Sequence, residues 1–264
     1  MASETTVRAA RRWRGWMGVA AAMALAVATL VLLLRGTSAP ALATPPVEGD
    51  PFVLAEAEPL LTPTAAVRAM AFADLSGDGK GDLLYAEGMT VRLAEGSAFT
   101  QVTTLGNCTG TVVALDVADL DRDGDLDAAA FCEGEVRLWR NDGTGWTTSL
   151  ITDGGTYTDG LLADLDGDAR PDAVAIGADG ALHLWRNGGD PFGGVWTTTL
   201  AMPLGGEGSA LVSADFNRDG RRDVAASVGA GVRLWQGRDD PFGGAWSYLD
   251  WAAAGDSLAD LAAA

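Results

Sequence analysis

The sequence predicts an all-β fold: a β-propeller of four-stranded blades, with four full blades and the start of a fifth, preceded by an N-terminal signal or transmembrane helix. Three observations predict it. An acidic nine-residue loop recurs with its first Asp at 74, 119, 164 and 215, spacings of 45, 45 and 51. Periods of that size mark solenoids and propellers, one supersecondary unit per repeat. Each repeat also reads as short apolar or β-branched runs joined by Gly-rich turns, the all-β pattern, and four such strands per repeat match a propeller blade.

The N-terminus has a different composition. "RAARRWRGW" is basic, Met17 to Leu34 is an apolar run of 18 residues, and "ALA" at 41–43 is a small-x-small cleavage sequence. This is a secretory layout, and the run is also just long enough to span a bilayer. Residues 1–43 therefore read as a cleaved signal peptide or an uncleaved membrane anchor, 44–51 as a linker, and 52–264 as the repeats. Either way, export is expected. The basic flank fits the positive-inside bias. Residues 44–264 keep 13 of the 18 Lys+Arg and 35 of the 36 Asp+Glu, a net charge of −22. That balance argues against nucleic acid, whose phosphates need a basic surface.

The second repeat shows the blade in full. "TVVALDVADL" leads into the acidic loop, "DAAAFC" follows as a short apolar strand, "EVRLWRN" returns, and "WTTSL" closes. The third repeat gives "DAVAIG", "ALHLWRN" and "WTTTL"; the fourth gives "DVAASVG", "GVRLWQG" and "WSYLD". The first is plainer, with "DLLYAEG", "TVRLAEG" and "FTQVTTL". "ADL" at 259–261 sits in phase to open a fifth loop, and "FVLAEAEPL" near residue 52 is a candidate outer strand for that blade. A piece of a longer propeller is the favoured reading, beside a compact closed ring or closure with another chain.

The loops carry the chemistry. "DLDRDGDLD" places Asp119, Asp121, Asp123, Asp125 and Asp127 within nine residues. Two carboxylates 4 Å apart repel by about 4 kcal/mol at an effective dielectric near 20, so tight folding calls for a cation among them. The pattern D-x-D-x-D-G-x-x-D offers hard oxygens and no His or Cys, which favours Ca²⁺ over Zn²⁺. Side chains at positions one, three, five and nine are the expected ligands, with the backbone carbonyl of position seven. The candidates in the other loops are Asp74, Ser76, Asp78, Lys80 and Asp82; Asp164, Asp166, Asp168, Arg170 and Asp172; and Asp215, Asn217, Asp219, Arg221 and Asp223. A solvated turn is the alternative reading of a single such loop; four in register argue against it. The third has Ala169 where the others have Gly, which predicts a strained or weaker site. EF-hands do not fit. They require Glu at position twelve, where this chain has Tyr85, Ala130, Ala175 and Ala226.

The four motifs "ADLSGDGKGDLL", "ADLDRDGDLDAAA", "ADLDGDARPDAVA" and "ADFNRDGRRDVAA", each followed by a "VRLW"-type strand, resemble the FG-GAP/VCBS-type repeat family, whose calcium-binding blades also form the head of integrin alpha subunits. The resemblance implies a propeller with Ca²⁺ in the loop between the first two strands of each blade. It implies little about partners, because one fold serves many functions.

Cys108 and Cys132 flank the second loop, where a hairpin would bring them together, and an exported protein can keep the resulting disulfide; two free buried thiols are the alternative. His183 is the only histidine and occupies a strand position held by Arg92, Arg137 and Arg233 in the other repeats, so an outward structural role is expected. No nucleophile–histidine set is legible. Trp139, Trp185, Trp235 and Trp146, Trp196, Trp246 recur at fixed repeat positions, which predicts packing between blades rather than sugar binding. The "DPFGG" hairpins at Asp190 and Asp240 are candidate contact loops. The expected function is an exported, non-enzymatic binding or adhesion module for an unknown protein or glycan ligand at the cell surface. The alternative is part of a secreted polysaccharide-acting enzyme.

Overall fold

Strands follow one another in hairpin order. The computed structural model describes residues 61–252 apart from 97, 153 and 195. Sheet one holds β1 (Val67–Ala73), β2 (Asp82–Glu87), β3 (Thr90–Glu95) and β4 (Gln101–Asn107). Sheet two holds β5 (Val112–Ala118), β6 (Asp127–Cys132), β7 (Val136–Asn141) and β8 (Trp146–Thr152). Sheet three holds β9 (Tyr157–Ala163), β10 (Asp172–Gly177), β11 (Ala181–Asn187) and β12 (Trp196–Pro203). Sheet four holds β13 (Gly208–Ala214), β14 (Asp223–Val228), β15 (Gly231–Trp235) and β16 (Tyr248–Ala252). Each sheet is an antiparallel meander in sequence order, and each nine-residue loop joins its first strand to its second. All the strands lie in one unit beginning at Val67; residues 61–66 belong to an N-terminal unit and carry no strand.

The short apolar second strands explain how the sheets stack. Every residue of β2, β6 and β10 is buried, the mark of a strand covered on both faces. Side chains alternate between faces. Ala128, Ala130 and Cys132 of β6 therefore join a core with Leu84, Val91 and Leu93 of sheet one. Ala129 and Phe131 join a second core with Ala173, Ala175 and Trp185 of sheet three. Val174 and Ile176 of β10 face a third core with Val224, Ala226 and Trp235 of sheet four. Three cores thus connect four sheets in series, with β1 beside β5, β5 beside β9, and β9 beside β13.

Directed hydrogen bonds reinforce the stack. Trp139 Nε1 donates to the Leu105 carbonyl of sheet one at 3.1 Å. Leu162 N donates to Asp116 Oδ2 and Leu211 N to Asp159 Oδ2, each at 2.7 Å, tying neighbouring first strands together. A disulfide joins Cys108, just beyond β4, to Cys132 at the end of β6, with Cα atoms 6.4 Å apart, and so links sheets one and two.

The recurring tryptophans sit in these cores. Trp139, Trp185, Trp235 and Trp246 are buried, and Trp146 and Trp196 pack partly buried against them. In sheet four the last strand begins at Tyr248, two residues later than the sequence pattern predicts. Trp246 turns inward instead, and its Nε1 donates to the Pro241 carbonyl at 2.8 Å. Trp196 closes the other "DPFGG" hairpin the same way, through Pro191 at 2.9 Å. His183 lies on β11 at 3.0 Å from Asp179 and stacks on Trp185. The expected N-terminal helix, the strand near residue 52 and the in-phase segment at 259–261 fall outside the described residues. Among the described residues no helix is long and apolar enough to cross a membrane.

Candidate metal centre

Each loop is wound by its own carboxylates before any cation is considered. The Asp at position one accepts the N–H of position six: Asp74 from Gly79 at 2.8 Å, Asp119 from Gly124 at 3.1 Å, Asp164 from Ala169 at 2.9 Å and Asp215 from Gly220 at 2.9 Å. The Asp at position five accepts the N–H of position seven: Asp78 from Lys80, Asp123 from Asp125, Asp168 from Arg170 and Asp219 from Arg221, at 2.8 to 3.0 Å. These are local Asp-to-backbone turns of the kind that compete with regular structure.

Such winding requires left-handed backbone. Position six has φ of 82° at Gly79, 99° at Gly124 and 86° at Gly220, and Ala169 takes φ 64° in the third loop. A side chain there is strained, because Cβ crowds the following carbonyl. Position four is left-handed too, at Gly77 and Gly167 but also at Arg122 (67°) and Arg218 (63°). The sequence pattern singled out position six alone.

Position nine is the anchor. Asp82, Asp127, Asp172 and Asp223 are fully buried. One oxygen accepts the N–H of position two: Leu75 at 3.0 Å, Leu120 at 2.9 Å, Leu165 at 3.0 Å and Phe216 at 3.0 Å. The other accepts an N–H from just past the third strand's core, from Gly96, Asn141, Asn187 or Gly237. A single carboxylate thus pins the loop to its own sheet. Burial pushes Asp127 and Asp172 up to about 7, against the pull of these backbone donors, and the other loop carboxylates push the same way.

The structure gathers some of the expected ligands and leaves others apart. Carboxylate oxygens of Asp119, Asp121 and Asp127 lie within 4.8 Å of one another, as do those of Asp164, Asp166 and Asp172. Both groups could hold a metal ion. Asp123 and Asp168 fall outside these groups, each paired with an arginine: Arg140 Nη2 at 3.2 Å from Asp123, and Arg170 on Asp168. The first and fourth loops have Ser76 and Asn217 at position three, so their acids are Asp74, Asp78 and Asp82, and Asp215, Asp219 and Asp223. There Lys80 pairs with Asp78 at 2.8 Å and Arg221 with Asp219 at 3.3 Å. One observation fits a cation directly. Asp119 Oδ1 is buried and has no hydrogen-bond partner, a costly state for a carboxylate oxygen unless a positive charge meets it.

Sequence reasoning missed the "LWRN" residues that frame the middle loops. Asn141 Nδ2 donates to the Leu75 carbonyl of the preceding loop at 2.8 Å, and Asn187 does the same to Leu120 at 2.9 Å. Arg140 Nε lies 2.7 Å from Asp121, and Arg186 Nη2 lies 2.6 Å from Asp166. The legible signal was the recurrence of "RN" in the second and third repeats only.

Comparison with known proteins agrees with this repeat architecture. Among solved structures, BBS1N in complex with ARL6DN is similar at a TM-score of 0.51 and 14% identity, over 73% of this chain and 56% of that one. An Agrocybe aegerita lectin that recognises non-reducing terminal N-acetylglucosamine matches at 0.48 and 23%, over 67% and 50%. The V. cholerae biofilm matrix protein Bap1 matches at 0.46 and 17%, over 63% and 26%. The chain spans about half the length of the first two structures. No curated protein sequence matches it. The FG-GAP-like repeat family matches residues 74–130, 119–175 and 164–226. Because these overlapping repeats cover more than half of the sequence and coincide with the acidic loops and their sheets, the chain belongs to the FG-GAP-like repeat family.

Proposed function

We propose that this chain is an exported, Ca²⁺-stabilised β-propeller segment that acts by binding rather than by catalysis, with a protein or glycan ligand at the cell surface. The observation that carries the reading is the acidic groups in the middle loops, with the buried, unpartnered Asp119 Oδ1 among them. Oxygen-only donors from carboxylates suit a hard divalent cation. Asp119, Asp121 and Asp127 would hold it in the second loop, and Asp164, Asp166 and Asp172 in the third. When bound, the ion supplies the positive charge that these carboxylates otherwise lack.

The metal's role in this reading is structural, because each loop joins the first two strands of a sheet and is pinned by a buried Asp. The disulfide supports export, since such bonds persist in oxidising compartments. The ligand-binding part is supported by Leu249 and Trp251, large apolar side chains about half exposed on one face of β16; exposed apolar patches mark interaction surfaces.

Calcium titration of the full chain by calorimetry tests the metal. About four sites are expected, with dissociation constants of roughly 10⁻⁴ to 10⁻³ M as in other extracellular modules. At tenfold excess over its dissociation constant each site adds about 1.4 kcal/mol, so chelation should lower the melting temperature. A titration without heat, together with unchanged melting in EDTA, would refute the metal reading. A glycan and matrix-protein array probed with and without Ca²⁺ tests the binding role, and a blank array in both conditions would count against it.

A further inference from the structure

The four loops are not equivalent, and three features vary together along the chain. The second and third loops have Asp at position three, Asp121 and Asp166; the first and fourth have Ser76 and Asn217. Near the ends of the third strands the same two sheets have Arg140 and Arg186, where sheets one and four have Glu95 and Gln236 at the same repeat position. Each arginine engages the position-three carboxylate of its own loop, Arg140 Nε to Asp121 Oδ2 at 2.7 Å and Arg186 Nη2 to Asp166 Oδ2 at 2.6 Å. Both also reach position five, Asp123 at 3.2 Å and Asp168 at 3.8 Å.

The third feature lies in the following sheet. Arg140 sits over the ring of Phe192 at 5.8 Å, and Arg186 over Phe242 at 5.9 Å. Those rings belong to the "DPFGG" hairpins of sheets three and four. Sheet two, which follows Glu95 rather than an arginine, has "NDGTG" at that hairpin and no phenylalanine. An aromatic face holds a guanidinium by cation–π attraction, so the next sheet fixes the arginine over the loop.

We infer that Arg140 and Arg186 are built-in counter-charges that cancel the extra position-three carboxylate of the middle loops, so that they weaken divalent-cation binding there and keep those loops folded when no ion is bound. The inference rests on the metal reading above. Its physical content is competition: a fixed guanidinium and a cation are drawn to the same carboxylates, and like charges repel. The outer loops achieve a similar balance with a neutral residue at position three and no arginine from the third strand; Lys80 and Arg221, within the loops, pair with position five.

Calcium calorimetry of the full chain tests this. R140Q/R186Q installs the glutamine that sheet four already carries. It should tighten the two middle sites about tenfold, the scale of one charge removed at a partly exposed position, and lower the melting temperature in chelator. A second pair works in the fourth loop and leaves the middle ones intact. N217D alone should tighten that site, and adding Q236R should reverse part of that gain, since the new arginine supplies the charge of the middle loops though not the covering phenylalanine. Unchanged or weaker affinity in R140Q/R186Q, or no effect of Q236R on N217D, would overturn the inference while leaving the metal reading standing. An unaltered chain that binds no calcium would overturn both.

Discussion

Two residues show how local chemistry sets stability. Ala169 holds φ 64° at a position where the other loops have glycine. An L-residue there costs about 1 to 2 kcal/mol, so Ala169→Gly should stabilise by about 1 kcal/mol, read as a raised denaturation midpoint. Asp116 is half-buried on β5, and burial pushes its carboxyl above the ordinary range, although the N–H groups of Leu162 and Val117 pull it down. The folded state therefore holds that proton more tightly than the unfolded chain does. The stabilisation is complete below about pH 4, the ordinary Asp value, and is lost as pH rises through the raised folded value. With Ca²⁺ saturating, the stability of the unaltered protein relative to D116N should fall as pH rises from 4 to 8. A difference that stays flat would refute the burial argument.

At the level of strands and hairpins, the contacts between sheets dominate. Gly160 on β9 lies under the ring of Phe131, and a Cβ there would overlap that ring. Phe131 is fully buried, and the nearest atoms are its Cδ1 and Cγ rather than the far end of the side chain. Overpacking of this kind costs about 1 to 3 kcal/mol, so Gly160→Ala should lower the unfolding free energy by that amount in urea titration. Asn187 presents the opposite case. Its Nδ2 meets the Leu120 carbonyl of the neighbouring loop and the Pro171 carbonyl of its own, at 2.9 and 3.3 Å. Asn187→Ala leaves buried carbonyls unpaired and should cost about 1 to 3 kcal/mol. Sheet four has Gly237 at the equivalent position, so the third loop receives no such cap. Neither the Phe131–Gly160 contact nor the Asn187 cap was legible in the sequence, because each partner lies in a different repeat.

Across the whole chain, stability is shared among three cores, the loops and one covalent link. The Cys108–Cys132 bond spans a sequence separation of 24. Closing a loop of that size removes unfolded-chain entropy worth about 3 kcal/mol. C108S/C132S should therefore melt well below the unaltered protein, and reductant should reproduce the shift. If Ca²⁺ carries the loops as proposed, chelation and disulfide removal should add nearly independently, since the bond joins the ends of β4 and β6 opposite the second loop.

The repeat, the meander and the acidic loops were legible in the amino-acid sequence. A period of about 45 residues, alternating faces and glycine at forced turns are all local or strictly periodic signals, and they survive without knowledge of neighbours. It also placed the tryptophans in the packing, because large apolar groups at fixed repeat positions must be buried somewhere. Which acids meet, and what else touches them, became visible only in three dimensions. Asp119, Asp121 and Asp127 converge, whereas Asp123 turns to Arg140, a residue 17 positions away on another strand and covered by a phenylalanine of the next sheet. Charge pairing of this kind depends on distance in space, and spacing along a chain encodes that distance only within a single turn.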